Sequence, residues 1–130
     1  MTAVREEIRL PTLGEPISHY TDAVRAGNLL FLSGIVPVDP EGRVVGGDDV
    51  AAQARQVFAN MGEVLRAGGA SFRDVVKVTV FLTDVDDRPR INPVRQEVFG
   101  DVRPASTLLE ISRLAVAGAK IEVEAVAVIA

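Results

Sequence analysis

The sequence feature that most constrains the fold is the nine-residue run VVKVTVFLT at residues 75–83. The run is almost unbroken in apolar and β-branched residues, which favour extended backbone, and it is too short for a helix of ordinary length. It is also too apolar for a strand that is exposed to water. The run therefore predicts a central strand of a sheet.

The clearest helical pattern covers residues 50–67. Its apolar residues recur at helical spacing and fall on one face: Ala54, Val57, Phe58, Met61 and Leu65. The other face is expected to carry Gln53, Gln56, Asn60 and Glu63. Asp48 or Asp49 can accept hydrogen bonds from the free amides at the start, and Gly68-Gly69 can take the left-handed conformation that ends a helix.

The N-terminal third of the chain has the patterns of strands and turns. Residues 5–10 alternate polar and apolar side chains, which predicts a strand. Two further extended segments, 23–25 and 28–33, flank the turn-like pair Ala26-Gly27 and are expected to form a hairpin. The segment after Gly34 is rich in Pro, Gly and Asp, so we expect a surface loop with a short hairpin.

A second helix is predicted from about Asn92-Pro93 to Phe99. Proline suits the first helical turn, where its missing amide costs nothing, and Val94 and Val98 are expected to face inward. The last two strands are predicted at 107–114 and 121–129, joined by a loop of small residues at 115–119.

Beyond Glu124, the predicted last strand is apolar on both faces. Its odd positions are Ile121, Val123, Ala125, Ala127 and Ile129. Its even positions are Glu122, Glu124, Val126 and Val128. An antiparallel sheet with helices on one face normally exposes the other face to water, so the second apolar face indicates that another subunit covers it. The alternative, a strand buried within a monomer, remains open.

Length and composition limit the classes of function. The 130 residues, 48% hydrophobic and 25% charged, fit one domain, 1–130, with one core. A net charge of −4 without a cluster of Lys and Arg argues against a nucleic-acid partner. With no cysteine and His19 as the one histidine, we expect no disulfide, no metal and no cofactor. No stretch resembles a signal peptide or a membrane span, so we expect a soluble, cytoplasmic protein without a membrane partner.

Two acidic residues are the main candidates for chemistry. Glu122 and Glu124 lie two residues apart, and therefore on the same face of the predicted last strand. In a cleft, one carboxylate would be desolvated and its pKa raised, which would suit it for proton transfer. The alternative is that both side chains are simply solvated at the start of a strand. A serine-histidine-aspartate triad would need His19, but no GxSxG motif surrounds any serine.

Several sequence blocks, taken in order, resemble the Rid (YjgF-type) family from about Thr12 to Ile129. The blocks are HYTDAVRAGNLLFLSG at 19–34, DVVKVTVFLTDVDD at 74–87, Asn92 followed by Val94 and Phe99, RPAS at 103–106, and IEVEAVA at 121–127. The match is not complete, because His19 stands where proline is usual in the family. The ordered blocks are jointly specific, whereas any one of them alone would be weak.

The resemblance implies the fold and the site. The fold would be α+β and chorismate-mutase-like, with a single mixed sheet, two helices packed on one face, and a homotrimer whose sheets form a central barrel-like interior. Clefts between subunits would bind a small-molecule ligand. Glu122 and Tyr20 would be catalytic, and Ser106, Ser33 and Asn92 would bind the ligand. In deaminating members, a strand-end arginine holds the substrate carboxylate, and the glutamate helps to position the water that attacks the imine carbon, giving a 2-oxo acid and ammonia.

Position 106 departs from the family pattern, because serine stands where the carboxylate-binding arginine is usual. Serine can donate one hydrogen bond but cannot supply a fixed, positively charged fork. The even numbers shared by Ser106 and Glu122 permit both to face one cleft if the two strands pair in that register. Arg113 has the opposite parity and Lys120 lies at a loop edge, so neither is a convincing replacement.

Two hypotheses follow from the resemblance and its departure. The first is a hydrolase of a small imine, enamine or related carbonyl compound that lacks the usual carboxylate anchor and shows little hydrolysis of 2-imino acids. The second is a non-catalytic trimer that binds a small metabolite or a protein partner through the same cleft.

Overall fold

The computed structural model describes residues 5–130, which form six strands, two α helices and three short 3-10 turns. In chain order the strands and helices are β1 (Arg5–Ile8), β2 (Ala23–Ala26), β3 (Leu29–Ile35), α1 (Val50–Ala67), β4 (Val75–Leu82), α2 (Arg88–Phe99), β5 (Ala105–Glu110) and β6 (Ile121–Val128). The 3-10 turns are Pro11–Leu13, Phe72–Asp74 and Val85–Asp87. None of the helices in residues 5–130 is both long enough and apolar enough to cross a bilayer.

The six strands form one mixed sheet in the order β1-β2-β3-β6-β4-β5. Strands β4 and β5 are parallel, and every other neighbouring pair is antiparallel. The interior position predicted for the apolar run is confirmed, because β4 lies between β6 and β5. Its alternate residues Val78, Val80 and Leu82 are buried, so this strand anchors the centre of the core.

Both helices pack on one face of the sheet. The predicted apolar residues of α1 are all buried, together with Ile91 and Val94 of α2. Phe58, Phe72 and Phe99 pack edge to face, with ring centroids 5.4 to 6.5 Å apart, and join the two helices. The α+β class, the single mixed sheet and its two helices are therefore confirmed.

The opposite face of the sheet, here called the open face, carries apolar side chains that nothing in residues 5–130 covers. Its apolar residues include Leu29, Phe31, Phe81, Leu109, Val126 and Val128, and Phe31 is 44% exposed. The strand register places them together, because Val126 lies opposite Phe31 and Val128 opposite Leu29. The part of β6 beyond Glu124 therefore has a buried apolar face, with Ala125 and Ala127, and a second apolar face, with Val126 and Val128.

Helix α1 has the predicted bounds, but two of its polar residues are not in solvent. Asp49 caps the helix, since its carboxylate accepts hydrogen bonds from the amides of Ala51 and Ala52. Gln53 and Asn60, expected on the wet face, are buried. They lie at the edge of the helix, where their amide groups satisfy backbone groups of adjacent loops.

Those hydrogen bonds hold two loops in place. Gln53 donates to the carbonyls of Gly47 at 2.7 Å and Gly118 at 3.0 Å, and it accepts from the Lys120 amide at 2.7 Å. Asn60 donates to two carbonyls of the loop that follows β3, those of residues Val36 and Val38. That loop contains the expected short hairpin, in which Val38 pairs with Val44.

Helix α2 begins at Arg88, four residues before the predicted start. Pro89 occupies the first turn, where its missing amide costs nothing, so the chain becomes helical before Asn92. Pro93 therefore lies inside the helix and leaves one intrahelical hydrogen bond unmade. The predicted inward positions are confirmed, since Val94 is buried and Val98 is partly buried against the core.

Strand β5 also lies earlier than predicted, at Ala105–Glu110 instead of 107–114. Its limits follow from its partner: the parallel register runs from Lys77 opposite Ala105 to Leu82 opposite Glu110, where β4 itself ends. A strand cannot continue its ladder beyond the end of its only neighbour. The remaining hairpin prediction is confirmed by the antiparallel pairing of β2 and β3.

Candidate functional site

A two-lobed cleft opens beside the ends of β3 and β6. One lobe, of about 280 Å³, is lined by three of the predicted site residues, Tyr20, Ser33 and Glu122, together with Gly34 and apolar side chains. The second lobe shares Tyr20, Ser33 and Gly34 and extends beneath the loop that Asn60 holds. The fold therefore brings together both predicted catalytic residues and one predicted ligand-binding residue.

Glu122 reaches the cleft from β6 and lies over the backbone of Gly34. It is opposite Phe81 of β4 on the open face, and a Cβ atom at position 34 would overlap its Oε2 atom. Gly34 does not have a positive φ, so its backbone conformation does not require glycine. A glycine is needed there because a side chain would occupy the space of the Glu122 carboxylate. The absence of a side chain at position 34 thus lets Glu122 fold back into the cleft.

The environment of Glu122 favours its protonated form. Partial burial raises the pKa of its carboxyl group above the ordinary value of 4.5, and the negative charge of Glu124 raises it further. No hydrogen bond within residues 5–130 offsets this effect. Glu124 on the same strand face is exposed. The two glutamates therefore differ, and Glu122 has the perturbed acidity expected of a proton-transfer group.

Tyr20 belongs to the segment between β1 and β2, and hydrogen bonds join this segment to Ser33 of β3. The Ser33 hydroxyl donates to the carbonyl of Thr21 at 2.5 Å, and its amide donates to the carbonyl of Asp22 at 3.0 Å. The Asp22 carboxylate in turn accepts from the amide of Leu10. This network ties Tyr20, which is 45% exposed, to the rim of the cleft. The Ser33 oxygen keeps a lone pair with which it can accept a hydrogen bond.

Ser106 lies elsewhere in the chain. It is opposite Val78, one of the buried residues on the helix-covered side of β4, whereas Glu122 is opposite Phe81 on the open face. Residues 78 and 81 of one strand face opposite ways. The condition for a shared cleft, that the strands of Ser106 and Glu122 pair directly, is not met within one chain, because β4 lies between them and turns the two side chains to opposite faces.

The group that contacts Ser106 is Arg95 of α2. Its Nη2 atom donates a hydrogen bond of 2.9 Å to Ser106 Oγ. The guanidinium is partly buried, and this burial lowers the pKa of Arg95 from its ordinary value. Asn92 lies one turn earlier and therefore on the same side of α2, and its side chain is exposed. We call Asn92, Arg95 and Ser106 the edge cluster, because β5 is an edge strand.

Arg95 is not among the predicted site residues, since the cations considered as replacements, Arg113 and Lys120, are those close to position 106 along the chain. The signal that could have found it is the spacing of Asn92 and Arg95, which puts the predicted ligand-binding asparagine and an arginine on one side of a helix. Residues 5–130 contain no group of three or more His, Cys, Asp or Glu arranged to hold a metal ion.

Comparisons with known proteins agree with this architecture. The sequence family described as Endoribonuclease L-PSP matches residues 12–129. The chain is 42% identical over 125 residues to a RutC family protein of Pyrococcus horikoshii, covering 95% of this chain and 98% of that protein. It is 38% identical over 113 residues to the human 2-iminobutanoate/2-iminopropanoate deaminase, covering 86% of this chain and 81% of that enzyme.

A solved structure gives the same result. The crystal structure of E. coli TdcF with bound serine superimposes with a TM-score of 0.87 and 32% identity, covering 96% of this chain and 99% of that one. The chain therefore belongs to the Endoribonuclease L-PSP, or YjgF/Rid, family. This confirms the resemblance seen in the sequence, and the family includes proteins named as imine deaminases.

Proposed function

We propose that the protein hydrolyses a small imine or enamine in a cleft completed by a neighbouring subunit of a homotrimer. The observation that carries this proposal is the half-buried Glu122 carboxyl with its raised pKa, set in a cleft beside Tyr20. The relationship to the human 2-iminobutanoate/2-iminopropanoate deaminase supports the reaction class.

Imine hydrolysis needs one group that takes a proton and later returns it. Water adds to the carbon of the protonated imine while the Glu122 carboxylate accepts a proton of the water, which gives a neutral carbinolamine. Glu122 then donates that proton to the carbinolamine nitrogen, the carbon–nitrogen bond breaks, and the hydroxyl proton passes to the departing ammonia, so that a carbonyl compound and ammonium leave. A carboxyl group whose pKa is raised toward neutral pH is better suited to both steps than a solvated one.

The other cleft residues would orient the ligand. The Tyr20 hydroxyl can both donate and accept a hydrogen bond at the rim, and the Ser33 oxygen can accept one from an imine or amine nitrogen. Ile17, Val36 and Val116 provide apolar walls. Such a mixture of apolar lining and few polar groups is typical of small-molecule sites.

The open face supports the homotrimer. Its apolar residues form a surface that a monomer would leave in water, and packing three such faces around a threefold axis would bury them in a barrel-like interior. The edge cluster lies on the other side of the sheet from Glu122 in each chain. In the proposed trimer, the β5 edge of one subunit closes the cleft of the next, so that Ser106 and Asn92 reach the ligand from there.

Nucleic acid is not the substrate that we propose, although the family takes its name from an endoribonuclease. The chain carries 14 Lys and Arg against 18 Asp and Glu. None of the described residues that line the cleft is a lysine or arginine, so the cleft offers no cation to a phosphate, and its acidic lining residues are Glu15, Asp22, Glu41 and Glu122. A small neutral or zwitterionic compound fits this charge better.

A second candidate function is a non-catalytic trimer that binds a small metabolite or a protein partner. The observation that favours it is Ser106, since a hydroxyl replaces the strand arginine that the deaminating members use. Both candidates use the same cleft, and they differ in whether a bound imine is turned over.

A panel of imines, generated in the assay from amino acids by an amino acid oxidase, separates the two candidates. We expect the protein to release ammonia faster than buffer does. Glu122→Gln should lower kcat by roughly a hundred- to ten-thousand-fold, the usual contribution of a general acid-base group. Glu124→Gln, which removes the neighbouring and exposed carboxylate, is the matched control and should remain active.

The opposite result has a definite meaning. If metabolites raise the melting temperature of the protein but no imine of the panel is hydrolysed faster than in buffer, the second candidate is correct. If Glu122→Gln is as active as Glu124→Gln, the proton-transfer role of Glu122 is wrong.

A further inference from the structure

We propose that Arg95, a residue of α2, supplies the cation of a carboxylate-binding site at the β5 edge, in place of the strand arginine that the deaminating members use. The anion site is argued from the geometry of the edge cluster alone. Its assignment to a 2-imino acid rests on the proposed function.

The contact between Arg95 and Ser106 leaves several donors free for an anion. A guanidinium has five N–H donors in a planar fork, and only one of them is used by Ser106 Oγ. Because the serine oxygen accepts this hydrogen bond, its own hydroxyl hydrogen remains available to a ligand. A carboxylate placed against the pair would receive charge-assisted hydrogen bonds from Arg95 and one further bond from Ser106.

Arg95 differs from the arginines that have structural partners. Within residues 5–130, Arg9 pairs with Asp22 at 2.9 Å, Arg43 with Asp39 at 3.0 Å and Arg90 with Asp87 at 3.7 Å. No carboxylate in this part of the chain lies within salt-bridge distance of Arg95, and burial alone accounts for its lowered pKa. A partly desolvated cation without an anion is costly, so a bound carboxylate would offset that cost.

In this proposed site, Ser106 makes room for the Arg95 guanidinium and orients it. A small side chain on the strand leaves space for the guanidinium that arrives from α2, and its hydroxyl fixes the orientation of that group. Charge is thus supplied by the helix where the deaminating members place it on the strand. The inference replaces the expectation, drawn from Ser106 alone, that hydrolysis of 2-imino acids is weak.

Calorimetry with a matched pair of ligands tests the anion site without turnover. The probes are 2-oxobutanoate and 2-oxobutanamide, which have similar shapes but differ in the negative charge. We expect the trimer to prefer the acid, and Arg95→Gln to lower its affinity for the acid by about ten- to a hundredfold while leaving the amide unchanged. Arg90→Gln removes a charge from the same helix, 73% exposed at its side chain, and is the matched control.

Three further variants distinguish a lost anion site from a protein that fails to fold. Arg95→Lys keeps the charge but loses the planar fork, so it should bind the acid more weakly than the wild type and better than Arg95→Gln. In the Arg95→Gln background, Ser106→Arg returns a guanidinium to the strand and should recover part of the affinity. In the wild-type background the same change would put two guanidinium groups side by side and should not improve binding.

The outcomes separate this inference from the proposed function. If Arg95→Gln and Arg90→Gln bind 2-oxobutanoate equally well, or if the wild type does not distinguish the acid from the amide, the inference is overturned even when imines are hydrolysed. If Arg95→Gln loses the acid selectively but the wild type hydrolyses none of the imines in the panel, the anion site stands and the proposed hydrolysis fails.

Discussion

The cleft and the edge cluster lie on opposite faces of one sheet and have opposite chemistry. The cleft holds a carboxyl group with a raised pKa, and none of the described residues that line it is a lysine or arginine. The edge cluster holds a partly buried guanidinium with no acidic partner in residues 5–130. The cleft has the group suited to proton transfer, and the edge cluster has the cation. Hydrolysis of an imine that carries a carboxylate would need both groups.

The sheet explains why one chain cannot combine them. Glu122 and Ser106 belong to strands on either side of β4, and their partners on β4 face opposite ways. No rotation of a side chain can carry either group through a hydrogen-bonded sheet. Proton transfer and anion binding can therefore meet only where the edge of one copy lies beside the cleft of another, which is the arrangement we propose for the trimer.

The largest loss of activity is expected from a substitution that prevents the subunits from assembling, because the cleft and the edge cluster of neighbouring subunits then no longer meet. Val126→Asp would place an unpaired charge on the open face, and burying it in an interface costs several kcal/mol. We expect the trimer to dissociate to a mass near 13.9 kDa in sedimentation equilibrium, and turnover to be lost with it. The matched control is Val85→Asp, at an exposed valine in the turn before α2.

Either of two results would contradict this prediction. A wild-type protein with the mass of one chain at all concentrations would remove the trimer and the shared site together. A Val126→Asp variant that stays trimeric would show that the open face is not the surface through which the subunits pack.

The sequence predicted most of the fold because its strongest patterns are local. The apolar run of β4 and the amphipathic pattern of α1 each identify an element without knowledge of its partners, and Asp49 marks the start of α1. The predicted start of α2 was wrong because it depends on which of two prolines begins the helix. The predicted limits of β5 were wrong because they depend on the strand that β5 pairs with.

The candidate site was only partly predictable for a related reason. Tyr20, Ser33 and Glu122 line one cleft because the sequence blocks that contain them form adjoining elements, and their roles there stay a prediction. The position of Ser106 relative to Glu122 depends on the register of three strands, which parity along the chain does not determine. Arg95 was missed because its contact with Ser106 joins a helix to a strand.

A smaller change sharpens the comparison by disturbing only the cleft. In Gly34→Ala, the new methyl group would occupy the space of the Glu122 carboxylate and push it aside. Displacement of a catalytic group by about 1 Å can cost up to a hundredfold in rate, so we expect kcat to fall by roughly ten- to a hundredfold. The affinity for 2-oxobutanoate should fall less, because Arg95 is untouched.

The backbone should tolerate this substitution, since Gly34 does not have a positive φ and the obstacle is a flexible side chain. The free energy of unfolding, measured by thermal denaturation, should therefore change by less than about 1 kcal/mol. The control is a double-mutant cycle with Glu122→Gln, in which Gly34→Ala should have little further effect on rate. An equal loss in both backgrounds would mean that Gly34 acts on something other than the carboxylate.

The smallest predicted effect is a dependence of stability on pH that belongs to the cleft and not to the edge cluster. Burial and the charge of Glu124 raise the pKa of Glu122 above 4.5 in the folded protein, so the folded state binds this proton more tightly than the unfolded state does. The resulting stabilisation is fully present below pH 4.5 and is lost as the pH rises through the raised pKa. Glutamine at 122 has no proton to lose.

Thermal melts at fixed protein concentration test this prediction. At neutral pH, Glu122→Gln should have a higher melting temperature than the wild type. The corresponding gain in the free energy of unfolding should be less than about 1 kcal/mol, because the group is half exposed and screened. This difference should shrink toward acid pH. Glu124→Gln should reduce the pH dependence of the wild type in part, since it removes one cause of the raised pKa. A gap between Glu122→Gln and wild type that widens in acid would show that Glu122 is stabilised as a carboxylate, and proton transfer would then have to be assigned to another residue.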